Sequence, residues 1–185
     1  TLAGSSAASD VYKRQPIREA IQRLSREGLV KVLPRKGLLV TEININDQLN
    51  LIQVRREIER LMAKLSARNS TIAQKKNFKK ISSAMRLCKK SDNTKFMKLD
   101  SEMNKLLSDS CDNEFVRRAT RITGGLSRRF WFYMNKRILN DLPVMAKLHS
   151  NLCDAISNSN IKLAQEESDK LMNYIEKFTR ESIQL

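Results

Sequence analysis

The folds open to this chain are limited most by its shortage of chain-turning residues: its 185 residues include only five glycines and three prolines. Sandwiches and barrels need a turn signal roughly every 8–12 residues, whereas long helices need few. The chain is therefore expected to be mainly α. Beyond Asn44 apolar residues recur at helical spacing and no strand pattern appears. Residues 47–70 place Leu49, Ile52, Val54, Ile58, Leu61, Met62 and Leu65 on one broad stripe, and residues 71–90 come next with Ser or Thr to cap them. Residues 94–109 carry Phe96, Leu99, Met103, Leu106 and Leu107, and residues 113–138 carry Phe115, Val116, Ile122, Leu126, Phe130 and Tyr133. Two further amphipathic stretches occupy residues 143–157 and 160–182. Six helices joined by loops of a few residues predict an all-α antiparallel bundle. The Gly124-Gly125 pair within the fourth helix marks a kink or a close helix approach.

Residues 16–40 have a different pattern. Pro16 suits a first helical turn, Ile17, Ala20, Ile21 and Leu24 recur at spacings of three and four, and Glu27-Gly28 closes the stretch. The other face of this short helix carries Arg18, Gln22, Arg23 and Arg26. After Gly28, β-branched residues and leucines flank Pro34-Arg35-Lys36-Gly37, which predicts a two-stranded hairpin with a basic tip. A lone hairpin is marginal in water, so it must pack on the preceding helix. A basic helix succeeded at once by a basic hairpin fits the second half of a winged helix-turn-helix. In that arrangement the helix enters the major groove, where arginine bonds guanine at two points, and the wing reaches phosphate or the minor groove. The alternative for Arg18, Arg23 and Arg26 is an ordinary solvated face.

The formal net charge of +15 and pI near 10.0 direct the chain toward polyanions. At 41% hydrophobic residues it is not a disordered composition, and no apolar run is long enough to span a membrane. Three cysteines, Cys88, Cys111 and Cys153, are odd in number and lack ligand spacing, so a reducing, cytoplasmic setting is expected. A single histidine, His149, excludes a His-rich metal cage and any enzyme needing two imidazoles; the chain is expected not to be an enzyme. Residues 1–15 are small and polar and show no helical period continuing into the stretch that begins at Pro16. They are expected to be non-native sequence replacing the natural N-terminus.

The string PIREAIQRLSREGLVKVLPRKGLLV, residues 16–40, resembles the DNA-binding domain of the GntR family of bacterial transcription regulators. That family carries a Pro-Val/Ile-Arg-Glu-Ala-Leu helix, an Arg-Leu pair, Glu-Gly-Leu-Val and a wing ending in an Arg-x-Gly turn. The resemblance implies DNA contacts by Arg18 and Arg23 from the recognition helix and by Arg35, Lys36 and Gly37 at the wing tip. The helices that precede the recognition helix in the family are missing before Pro16, so residues 16–43 read as a truncated winged-helix domain.

Residues 44–185 resemble the C-terminal FCD domain of the FadR branch of that family, through VRREIERLMAKLSA, KLDSEMNKLL, DNEFV, SRRFWFY and LHSNLCDAI in that order. Six bundle helices match the shorter variety of this domain rather than the seven-helix acyl-CoA-binding variety. Many such domains hold a divalent metal, such as Zn, Mn or Ni, through an Asp and three His. By resemblance the Asp falls on Asp100 and the middle His on His149, while the other two His positions are Asn104 and Leu171. Asp and one imidazole are too few strong ligands for a tight site. The alternative is a satisfied polar cluster of Asp100, Asn104 and His149.

An effector site does not require the metal. Arg55 lies inside an apolar stripe beside Val54 and Ile58, where a cation is costly unless paired. It either clamps a carboxylate at two points or bridges to Asp100 or Glu59. Arg128 and Arg129, ahead of Phe130-Trp131-Phe132-Tyr133, pose the same choice. The resemblance implies a homodimeric regulator on a roughly palindromic duplex DNA operator, with a small carboxylate bound among Arg55, Asp100, Asn104 and His149. The alternative is a helical nucleic-acid or protein interaction module without operator specificity, because Lys75, Lys76, Lys79, Lys80, Lys89 and Lys90 continue the positive charge into the bundle.

Overall fold

A computed structural model describes residues 4–182. They form seven helices and one two-stranded sheet, divided between two compact units that meet in sequence at Ile43 and Asn44.

The first unit holds α1 (Gly4–Arg26), β1 (Val30–Leu33) and β2 (Gly37–Val40). The helix expected to open at Pro16 begins at Gly4, so Pro16 lies inside it. Ala7, Ala8, Lys13, Arg14 and Gln15 favour helix on the N-terminal side of Pro16, and a proline there removes one backbone donor without ending the helix. This corrects the expectation that no helical pattern runs from residues 1–15 into the stretch after them; residues 1–3 lie outside the described residues. The far end is closed as the Glu27-Gly28 signal predicts. Gly28 has φ 73°, its N–H donates to the Ser25 carbonyl at 3.1 Å, and the Leu29 N–H donates to the Leu24 carbonyl at 2.9 Å. This is a Schellman motif, which needs a left-handed residue at that point. Thr41 then ties the hairpin base to the helix end through its hydroxyl, 2.8 Å from the Gly28 carbonyl.

The strands pair antiparallel, with Val30 opposite Val40 and Leu33 opposite Gly37. At the tip the Lys36 N–H donates to the Leu33 carbonyl at 3.1 Å, and Arg35 has φ 62°. Pro34 cannot take a positive φ, so a mirror-image hairpin turn is closed to this sequence. Arg35 instead occupies the left-handed third position of a type II turn.

The second unit holds α2 (Ile45–Asn69), α3 (Ile72–Arg86), α4 (Asn93–Ser110), α5 (Glu114–Tyr133), α6 (Asn135–Ser157) and α7 (Ile161–Glu181). Asn44, Thr71, Asn113 and Asn160 cap four of these helices by accepting backbone amides of the first turn. Thr71 and Gln74 form a reciprocal capping box. Two boundaries differ from expectation. The helix predicted to run to residue 138 ends at Tyr133, and the one predicted to begin at Pro143 begins at Asn135, with the proline in its interior.

Ion pairs establish the helix directions. On α2 and α7, Arg56 meets Glu176 at 2.9 Å and Arg60 meets Asp169 at 3.4 Å, so one helix descends as the other climbs. On α3 and α6, Lys79 and Arg86 both reach Asp154, at 3.1 and 2.7 Å. Phe78, Phe96, Ile52, Met62, Met85, Met103 and Leu142 fill the core between these pairs. Burial of each such side chain contributes about 1.5–3 kcal/mol.

The expected apolar stripes are only partly buried. Val54 and Leu61 of α2 are exposed, as are Phe115, Ile122 and Tyr133 of α5. On α5 the buried positions are Val116, Thr123, Ser127 and Phe130. Small polar side chains take inward positions because that face borders a cavity. At Gly124 no close helix approach is present: the helix assignment is continuous, and a Cβ there would meet only Arg128 Nη2, at 3.9 Å.

Candidate functional site

In the first unit, α1 and the hairpin present the residues that sequence reasoning assigned to DNA. Arg18 is exposed, as are Arg35 and Lys36 at the tip. The exposed Arg23 lies 3.2 Å from Glu27, one turn on, which orients it without burying it. Gly37 has φ 100°, a conformation that a side chain would strain.

In the second unit a cavity of about 770 Å³ opens among α2, α4, α5, α6 and α7. Arg55, Asp100, Asn104 and His149 all line it, as does Leu171. α4 supplies Asp100 and Asn104 one turn apart, and α6 brings His149 to them from the opposite side.

His149 is 4% exposed and stands edge-on to Phe96 with ring centroids 5.3 Å apart. Its Nε2 is 3.1 Å from Asp100 Oδ1, and its Nδ1 is 2.7 Å from the Met145 carbonyl oxygen. A carbonyl only accepts, and an ionised carboxylate only accepts. Both ring nitrogens therefore face acceptors, an arrangement that favours the protonated ring beside Asp100. Burial by itself would depress the His149 pKa. The hydrogen bond and charge of Asp100, the Met145 carbonyl and the charge of Glu59 outweigh it, and the pKa is raised.

This geometry answers the question of a metal. Of the four positions, Leu171 has no donor atom and Asn104 offers only a weak amide oxygen. The His149 nitrogens are both turned to other partners. Among the described residues no group of three or more His, Cys, Asp or Glu side chains could hold a metal ion. The residues present supply too few strong donors to hold a divalent ion tightly, and Asp100 and His149 face each other at 3.1 Å.

Arg55 has partners within the bundle. It bridges to Glu59, whose Oε1 lies 2.7 Å from its Nε, and it also donates to the Ser127 hydroxyl; Asp100 is not its partner. No cysteine lines the cavity; burial pushes the Cys153 and Cys88 thiols up, and a protonated thiol is a poor nucleophile and ligand.

Sequence reasoning missed the mouth of the cavity. Arg117, Arg121 and Arg128 of α5 line it, and all three are exposed. The signal was available in their spacing of four and seven residues, which puts them on one helix face with Gly124 between the last two. Arg128, left open between clamp and bridge, lines the cavity, and so does Trp131, stacked on Phe178 at 5.0 Å. Met62, Met97, Met103 and Met145 give the wall a thioether surface.

A helical bundle around a cavity of this size, in one chain with a helix and wing-like hairpin, defines a two-unit architecture of the kind found in GntR-type regulators. The chain belongs to the FCD domain family, which matches residues 50–173. It is similar in fold to McbR/YncC of E. coli, at 15% identity and a TM-score of 0.75, covering 91% of this chain and 81% of that one. A GntR protein of Streptococcus agalactiae is similar at 19% identity and a TM-score of 0.56, covering 89% and 81%. A GntR-family transcriptional regulator of Pseudomonas syringae pv. tomato str. DC3000 is similar at 18% identity and a TM-score of 0.58, covering 92% and 71%. A comparison with curated proteins gave no match.

Proposed function

We propose that this chain is a transcription regulator rather than an enzyme, in which a small organic acid bound in the FCD bundle modulates the contact of α1 and the hairpin with duplex DNA. The observation that carries the reading is the pairing of an FCD bundle around a cavity with a helix-and-wing unit whose cations are exposed. Arg18 and Arg23 are assigned to base edges and phosphates in the major groove, and Arg35, Lys36 and Gly37 to the wing contact. The effector is assigned to the cavity bordered by Arg55, Asp100, Asn104 and His149. The regulator works as a homodimer on a two-fold operator in the cytoplasm; no helix among the described residues is long and apolar enough to cross a membrane. Effector and DNA sites are linked by a coupling free energy, typically about 1–3 kcal/mol.

The test is fluorescence anisotropy on duplex DNA selected from a random pool, at several salt concentrations. Arg18→Ala is expected to cost about 1–3 kcal/mol, and Arg35→Ala with Lys36→Ala to reduce the salt slope by about two. Unchanged affinity in both variants would refute the assignment.

A second reading has its own observation. Residues 71–98 hold nine cations, Lys75, Lys76, Lys79, Lys80, Arg86, Lys89, Lys90, Lys95 and Lys98, against one acid, Asp92. A nucleic-acid module without operator specificity would use this stretch. Binding that depends on salt but not on sequence, and survives Arg18→Ala, would favour it.

A further inference from the structure

We propose that the bundle cavity takes an organic acid with an apolar body and without a metal, its carboxylate held at the mouth by Arg121 and Arg128 of α5. The proposal rests on reading the bundle as the effector-binding unit and states which chemistry that unit recognises.

The cations deeper in the cavity are already engaged. His149 has one ring nitrogen against Asp100 and the other against the Met145 carbonyl. Arg55 is committed to Glu59 and Ser127. A ligand carboxylate placed there would have to displace a buried acceptor, and breaking a buried pair is costly.

The mouth differs. Arg117, Arg121 and Arg128 have no ion-pair partner among the described residues, whereas Arg118 beside them is held by Glu114. Gly124 lies between Arg121 and Arg128 on the same face and puts bare backbone there. The Arg128 guanidinium folds back over it, with Nη2 at 3.9 Å from where a Cβ would sit. Arg121 and Arg128 lie two turns apart on one exposed helix face that borders the cavity, with no side chain on Gly124 between them, and arginine is the cation that bonds a carboxylate at two points. Further in, the four methionines present unbranched thioethers that conform to an aliphatic or aromatic body. A volume of about 770 Å³ suits a ligand of metabolite size.

The experiment uses the chain's single tryptophan, Trp131, which lines the cavity, as reporter. Octanoate and octan-1-ol are titrated into the full chain, each in EDTA and in zinc, while Trp131 emission is monitored. Octanoate is expected to saturate at equal affinity in EDTA and zinc, and to bind about tenfold more tightly than the alcohol. Arg121→Ala with Arg128→Ala is expected to remove that preference, leaving octan-1-ol binding and the thermal melt unchanged; both residues are exposed, so the variant folds. Octanoate binding that requires zinc, equal binding of acid and alcohol, or a double variant that keeps the preference would each overturn the proposal while leaving an effector cavity in place. A chain that binds neither probe, and whose DNA affinity responds to no organic acid, would overturn the effector reading itself.

Discussion

The floor and the mouth of the cavity carry the same kinds of charged group in opposite states. At the floor, the buried His149 and the half-buried Asp100 face each other, His149 is also held by Met145, and Arg55 is closed off by Glu59 and Ser127. At the mouth, Arg117, Arg121 and Arg128 stand in solvent without an ion pair among the described residues. Charge that is desolvated must be paired within the protein and then serves stability. Charge left at a wet rim costs little to keep unpaired and stays available to a ligand.

The sharpest way to break that comparison is Asp100→Ala. If the floor pair is structural, its loss leaves His149 to shed its proton and one ring nitrogen unpaired, and should destabilise the bundle by about 1–3 kcal/mol in urea unfolding. A loss under about 1 kcal/mol would mean that the floor is no more committed than the mouth.

The pH dependence of stability sharpens the same point. The folded His149 pKa lies above its ordinary value, so the stability it contributes is fully present below the unfolded histidine pKa and is lost as pH rises through the folded one. The advantage of the wild type over Asp100→Asn should therefore be greatest on the acid side of the histidine range, above the carboxylate range, and shrink as pH rises. Urea midpoints for both proteins across that range would show it, and a constant difference would contradict it.

Gly124→Ala should raise stability by up to about 1 kcal/mol, since the helix is continuous there and the added methyl meets only Arg128 Nη2 at 3.9 Å. A thermal melt decides it, and destabilisation would show that the mouth is packed rather than open. Arg121→Ala should change stability least, within about 0.5 kcal/mol in the same melt.

Much of the fold was legible in the sequence because local signals there agreed with tertiary structure. Thr71 with Gln74, Asn113 and Asn160 fall where side-chain caps were needed, and Gly28 supplies the left-handed residue that ends α1. Prolines misled twice. Pro16 and Pro143 were read as helix starts, yet both sit within helices that continue on either side. A proline excludes one hydrogen bond, and flanking turns can absorb that loss. Of the cavity residues, Asp100, Asn104 and His149 were placed by resemblance and Arg55 by its position in an apolar stripe; the structure brings all four to the lining of one cavity. Arg117 and Arg121 of α5 were passed over because a stripe interrupted by Thr123, Ser127 and Gly124 looks like a poor core face. Its polarity reflects an empty space that spacing alone does not reveal.

The clamp at Asp154 has a consequence for the whole bundle. This one carboxylate draws in Lys79 and Arg86; burial would raise its pKa, but hydrogen bonds from Arg86, Ser82 and Lys79 bring it below the ordinary value. Every other cation between residues 71 and 98 repels its neighbours, with Asp92 as the only acid in that stretch. A helix held by one acid against so many like charges is under electrostatic pressure, and dissolved ions relieve it by shortening the reach of repulsion to roughly 8 Å at physiological strength. Ionic strength therefore bears on this bundle in two opposing ways, because the screening that eases repulsion among the lysines also weakens the partly exposed pairs to Asp154.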